Sequence, residues 1–289
     1  MTSDHSILFE GKGPVGVLLI HGLGGTPIEM KSLGRALYDA GANVYCCQLA
    51  GHCGTEEDIK KTGWKDWYAS AEAGIAVLER SSEHIVVGGL SMGGCVAAEL
   101  AAHHPTRVDG LIMLAPTLKY DGWSMPRYSF LLKILINTPF GQRFRFIEQD
   151  PYGVKDERTR RLVVKAMHSA DSSNAGLLAT PSQALQQMWA LNADLKKRLG
   201  SIRQPTLIIH SREDDVASLG NAVYLQKHLG GLVRTLVLDD SYHLVTLDRQ
   251  RHIVAEEAAH FVSSFARKAE EKPQKGGALG QNRGAAHAR

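Results

Sequence analysis

Apolar residues along the chain fall into two alternating rhythms. Val15-Gly16-Val17-Leu18-Leu19-Ile20 is an unbroken apolar run, the pattern of a strand covered on both faces. From about Ile28 to Ala40 the spacing of Leu33, Leu37 and Tyr38 predicts a helix, closed by Gly41. Asn43 to Leu49 reads as a strand, and Trp64 to Arg80 as a helix with Trp67, Ala71, Ile75 and Leu78 on one stripe. His84 to Gly89, Met92 to His103 and Val108 to Leu114 continue as strand, helix and strand. After a gap the rhythm resumes: strand Pro205 to His210, helix Asn221 to Leu229, strand Val233 to Leu238 and a closing helix Arg251 to Arg267. Strict alternation of this kind implies an α/β fold, a doubly wound and mostly parallel sheet with helices on both faces.

Between Pro116 and Leu199 the alternation stops. The stretch holds apolar helical segments and many turn residues but no convincing strand. A structureless loop of that length is improbable. It is expected to be a helical insertion, so that residues 1–116 and 200–267 form the core and 117–199 a cap. Beyond it, residues 268–289, opened by Pro273-Gln274-Lys275-Gly276-Gly277, read as a disordered tail.

Charge changes this picture little. The 33 Lys and Arg against 30 Asp and Glu give +3, but residues 267–289 hold six Lys/Arg and two Glu, so the remainder of the chain is −1. A nucleic-acid partner is therefore not expected, because the folded part would carry the positive patch. The longest apolar runs fall far short of the ~20 residues of a membrane span, and Met1-Thr2-Ser3-Asp4-His5 is not expected to open a signal peptide. The protein is expected to be soluble and cytoplasmic, without stable membrane insertion. Cys46, Cys47, Cys53 and Cys95 show no C-x-x-C spacing and are expected to be buried or half-buried free thiols.

The chemistry concentrates at Gly89-Leu90-Ser91-Met92-Gly93, a G-x-S-x-G pentapeptide with an apolar strand before it and an Ala-rich helix after it. Such a turn strains the serine backbone and holds its hydroxyl above the sheet, while glycines two positions to either side avoid a collision. A serine hydroxyl needs a base within hydrogen-bond reach. Position selects His243 among 13 histidines, because it follows the last strand, at the edge where doubly wound folds place their reactive groups. Asp214, after the strand ending at His210, is the carboxylate expected to orient it, with Asp215 as the rival. His21-Gly22-Leu23-Gly24-Gly25 follows the first strong strand, and the Leu23 N–H, with that of Met92, is expected to hold a developing oxyanion.

On these motifs, with Ser211-Arg212-Glu213-Asp214 and Ser241-Tyr242-His243-Leu244-Val245-Thr246-Leu247-Asp248, the chain resembles the α/β-hydrolase superfamily over roughly residues 13–267. It is most similar to bacterial carboxylesterases and monoacylglycerol lipases with a small helical cap. It departs from many relatives at Gly51-His52-Cys53-Gly54, where a Gly-His-Gly turn is common, and at Ala217-Ser218, often a proline. The resemblance implies Ser91 as nucleophile, Asp214 as orienting acid, His243 as base, and Leu23 and Met92 as oxyanion donors. It also implies a small-molecule acyl ester as substrate and requires no cofactor or metal. A cap would cover the acyl pocket, with Trp123, Met125, Phe130, Leu131, Met188 and Trp189 as candidate lining. The rival functions are hydrolysis of another acyl bond (thioester or carbon–carbon) on the same triad, and ligand sensing by a retired hydrolase scaffold.

Overall fold

The computed structural model describes residues 3–125, 136, 138, 141–168 and 176–270. In chain order the elements are β1 (Ile7–Phe9), β2 (Val15–Ile20), α1 (Ile28–Asp39), β3 (Asn43–Cys47), α2 (Glu56–Lys60), α3 (Trp64–Leu78), β4 (His84–Leu90), α4 (Met92–His103) and β5 (Gly110–Leu114). There follow β6 (Arg145–Ile147), α5 (Glu157–Met167), β7 (Ala179–Pro181), α6 (Ser182–Arg198), β8 (Thr206–Ser211), α7 (Gly220–His228), β9 (Val233–Leu238) and α8 (Arg251–Glu270).

Seven strands form one sheet in the order β1-β3-β2-β4-β5-β8-β9, parallel throughout except for β1, which runs antiparallel to β3. The period-2 alternation of strand side chains divides the core in two. Val15, Val17 and Leu19 of β2 pack with Met30, Leu33 and Leu37 of α1 and with Val254, Ala258 and Val262 of α8. On the opposite face, Leu18 and Ile20 pack with Trp67, Ala71 and Ile75 of α3 and with the buried side of α4. Cys46 and Cys47 illustrate the same rule, one in each layer, and all four cysteines are free thiols. Each fully buried Leu, Ile or Val in these layers contributes about 1.5–3 kcal/mol.

Three details differ from the pattern-based reading. The edge strand β1 and the one-turn α2 are too short to show a period. The insertion does contain strands: β6 and β7 pair antiparallel, with Phe146 opposite Thr180. Its last helix is also no outlying cap. Met188, Leu191 and Leu195 of α6 are fully buried in the same layer as α3 and α4. Among the described helices of the insertion it is α5 that has no buried residue. Residues 271–289, and with them most of the expected tail, lie outside the described residues.

Topology places the site. The chain leaves β2 to one side for β3 and returns to the other side for β4, so the winding reverses between β2 and β4. A crevice opens at such a switch point beyond the carboxyl ends of the strands. Ile20, the last residue of β2, pairs with Gly89, so the loop after β2 and the turn after β4 emerge side by side.

Candidate active site

Ser91 sits at that turn with φ 55° and ψ −118°, a left-handed conformation costly to a residue with a side chain. The turn persists because its surroundings leave no alternative. The Ser91 N–H is tied to the Leu114 carbonyl at 2.8 Å. A Cβ at Gly89 would stand 2.3 Å from the Gly93 carbonyl carbon, and one at Gly93 would stand 2.2 Å from the Ile20 oxygen. Strand β4, helix α4 and strand β2 thus approach to a distance only glycine allows. Ser91 is also the residue from which α4 starts, so the unpaired N–H groups and positive dipole end of that helix face the serine.

The loop 21–26 is held from beneath by His21. This fully buried ring donates from Nδ1 to the Gly22 carbonyl (2.8 Å) and accepts at Nε2 from the Leu49 N–H (3.2 Å), which fixes its tautomer. Burial, with the neighbouring His52, pushes its pKa down to about 3, so it stays neutral. Gly24 takes φ 72°, and Glu29 in the first turn of α1 accepts the Gly22 N–H at 3.3 Å. Neither the Leu23 nor the Met92 N–H has a hydrogen-bond partner among the described residues.

His243 and Asp214 come from the loops after β9 and β8. The His243 Nδ1–H donates to Asp214 at 2.8 Å (Oδ2) and 3.0 Å (Oδ1). Asp214 Oδ1 also accepts the N–H groups of Val216 (2.9 Å) and Ala217 (2.7 Å). Burial works against its charge, but the His243 imidazole, His210 and the Ala217 N–H outweigh it and hold the carboxyl below its usual range. Burial likewise opposes a charged His243, yet Asp214, Asp215 and Glu148 together raise its pKa above the ordinary 6.5. The rival acid does something else. Asp215 accepts the backbone N–H of His243 (3.2 Å) and of Gly153 (3.1 Å), so it fixes the loop while Asp214 faces the ring.

Ser91, Leu23 and His243 all line one cavity of about 270 Å³, near the lower end of the range for small-molecule sites. Its described walls are otherwise mainly apolar: Ile28, Leu162, Val163, Ala166, Met167, Leu177 and Val216. In this structure the Ser91 hydroxyl is hydrogen-bonded to Thr117 Oγ1 at 3.0 Å rather than to His243. Such bonds are commonly loose without substrate and tighten in the reacting complex.

The expected lining needs correction. Trp123 is 60% exposed, donates to the Glu213 carbonyl and packs edge-on against Tyr242, outside the cavity. Met125 closes a turn onto Gly122. Met188 is a core residue whose sulfur accepts the Tyr120 hydroxyl, and the half-buried Trp189 beside it on α6 does not line the cavity either. Phe130 and Leu131 lie outside the described residues. Helix α5 supplies the apolar wall instead, because its Leu162, Val163, Ala166 and Met167 lie within one and a half turns. Thr117, Glu29 and Glu148 were not foreseen. Thr117 follows a strand end that reads as a boundary, and Glu148 stands in the insertion where no periodicity flags it.

The matched family model is described as the alpha/beta hydrolase fold and spans residues 16–250. The chain belongs to the α/β-hydrolase family. A thermostable monoacylglycerol lipase of Bacillus sp. (strain H-257) is 32% identical over 259 residues, 89% of this chain and 94% of that protein. A carboxylesterase of Bacillus subtilis (strain 168) is 24% identical over 89% of this chain and 95% of its own length. Among solved structures, one from work on the metagenome-derived lipolytic enzymes LipS and LipT superposes with a TM-score of 0.75 at 25% identity, covering 90% of this chain and 97% of that one. Among the described residues of this hydrolase no group of three or more His, Cys, Asp and Glu could hold a metal ion. No described helix is long and apolar enough to cross a membrane.

Proposed function

We propose that the protein is a serine esterase that hydrolyses short- to medium-chain acyl esters or monoacylglycerols through an acyl-enzyme intermediate. The observation that carries this reading is the Asp214–His243 pair, its Nδ1 occupied, on the wall of the same cavity as a serine held in a left-handed turn. In the reacting complex the Ser91 hydroxyl turns from Thr117 to His243 Nε2, the two residues lining the same cavity. The serine then attacks the ester carbonyl, His243 takes its proton, and Asp214 stabilises the imidazolium. The oxyanion is received by the N–H groups of Leu23 and Met92, each such donor typically worth about 3–4 kcal/mol. The alcohol leaves with the proton from His243, and water releases the acid by the reverse steps. The relatives named as a monoacylglycerol lipase and a carboxylesterase support the same substrate class. The apolar wall from α5 suits an acyl chain, at about 0.8 kcal/mol per buried methylene.

The test is a panel of nitrophenyl esters, monoacylglycerols and acyl-CoA thioesters, with a fluorophosphonate label mapped by mass spectrometry. Labelling is expected at Ser91, ester turnover is expected to exceed thioester turnover, and Ser91→Ala is expected to lower kcat by roughly 10⁴–10⁶-fold. Because the base must be neutral, the rate should rise with pH through an apparent pKa above the ordinary 6.5 of histidine. Near-full activity in Ser91→Ala would overturn the assignment.

A further inference from the structure

The reaction above uses one carboxylate, Asp214, yet the described walls of the cavity carry two others, Glu29 and Glu148, and no Lys or Arg. Glu29 has a task, since it accepts the Gly22 N–H beneath the oxyanion loop. Glu148 has none in the fold. It follows β6, its backbone N–H is bonded to the Leu178 carbonyl, and its carboxylate has no hydrogen-bond or ion-pair partner among the described residues. The described walls of the cavity thus carry two carboxylates and no Lys or Arg to compensate them, in the same chamber as the serine. Burial lifts both carboxyls to about 7, the Glu29 and Glu148 charges repel each other, and His243 draws both back towards the charged form. Near neutral pH the pair retains negative charge in a largely apolar chamber.

We propose that Glu148, with Glu29 behind it, makes this cavity charge-selective: it accepts esters whose far end is neutral or carries an ammonium group and rejects those ending in a carboxylate. The inference rests on the ester-hydrolase reading and deepens it. A second carboxylate on the substrate would meet no cation on the described walls beyond His243, which must be neutral to act as base. A cationic end would meet Glu148, whose carboxylate has no hydrogen-bond or ion-pair partner among the described residues. The same field acts on the acid product, which turns anionic as it forms and is driven out.

The experiment compares butanoate esters of three alcohols of similar shape: 3,3-dimethylbutyl, its trimethylammonium isostere and a carboxyethyl analogue. In the wild type, kcat/KM is expected to be highest for the cation and roughly 10–100-fold lower for the carboxylate than for the neutral ester. Glu148→Gln is expected to narrow both ratios by about tenfold, and Glu148→Asp to restore them. The apparent pKa of the rate should also fall in Glu148→Gln, because Glu148 is one of the groups, with Asp214 and Asp215, that raise His243. Wild-type ratios near one, or ratios unchanged in Glu148→Gln, would overturn the proposal. If the neutral ester itself is not turned over, the hydrolase reading fails separately. Calorimetry on the same proteins with butyltrimethylammonium and pentanoate then decides: tighter ammonium binding that Glu148→Gln abolishes supports charge selection, and equal affinities sink it.

Discussion

The carboxyl-end rim of the sheet and the inserted segment around α5 build the two sides of one chamber by opposite means. At the rim, strands β2, β4, β5 and β8 are buried along nearly their whole length, and the turn at Ser91 is fixed by backbone contacts that exclude even a methyl group. Across the chamber, α5 has no buried residue, and Leu162 is 63% exposed although it lines the cavity. On the proposed function, chemistry falls to the half that cannot yield and selection among substrates to the half held only lightly. The division has an energetic reason. Attack and oxyanion binding demand placement to within about half an ångström, whereas an apolar wall needs only to exclude water over the acyl chain.

Substitutions on the two sides should therefore fail differently. Asp214→Asn leaves the shape of the site but offers the imidazole the wrong partner, and is expected to lower kcat roughly 10⁴-fold with little change in KM. Asp215→Asn, by contrast, alters a backbone anchor and should show as a lower melting temperature before it shows in kcat; equal kcat losses in the two variants would erase the distinction drawn here. Gly93→Ala is next. Its Cβ would meet the Ile20 and His21 carbonyl oxygens at 2.2 and 2.5 Å, so a loss of about 2–3 kcal/mol in chemical denaturation is expected. The smallest effect belongs to the far wall. Leu162→Ala should change stability by less than about 0.5 kcal/mol yet raise KM several-fold for longer acyl chains only. A large stability loss there would mean that the insertion is as firmly built as the rim.

Most of the rim could be read from the sequence, because each feature there is dictated by local rules. Continuous apolar runs, the glycines around Ser91 and the position of His243 after the final strand each have one physical interpretation. The insertion was harder for a matching reason. Strands of three residues such as β6 and β7 are too short for alternation to register. The helix α6 resembles any amphipathic cap helix until Met188, Leu191 and Leu195 are seen inside the main core. Size and hydrophobicity alone point to Trp123, Met188 and Trp189 as lining, but Trp123 bonds to the Glu213 carbonyl, Met188 belongs to the main core, and none of the three lines the cavity. The acidic wall was invisible because an isolated Glu in sequence is nearly always solvated, and only the fold turns Glu148 inward.

One motif residue ties the two halves together. Asp248, fully buried, accepts N–H groups from Tyr242 and Arg249 on its own loop and from Lys155 and Asp156 at the entry to α5. A single carboxylate thus acts as a rivet between the strap that roofs the chamber and the loop that presents the imidazole. The backbone that enters α5 and the loop that carries His243 therefore share one anchor, and neither is fastened independently of the other at this point.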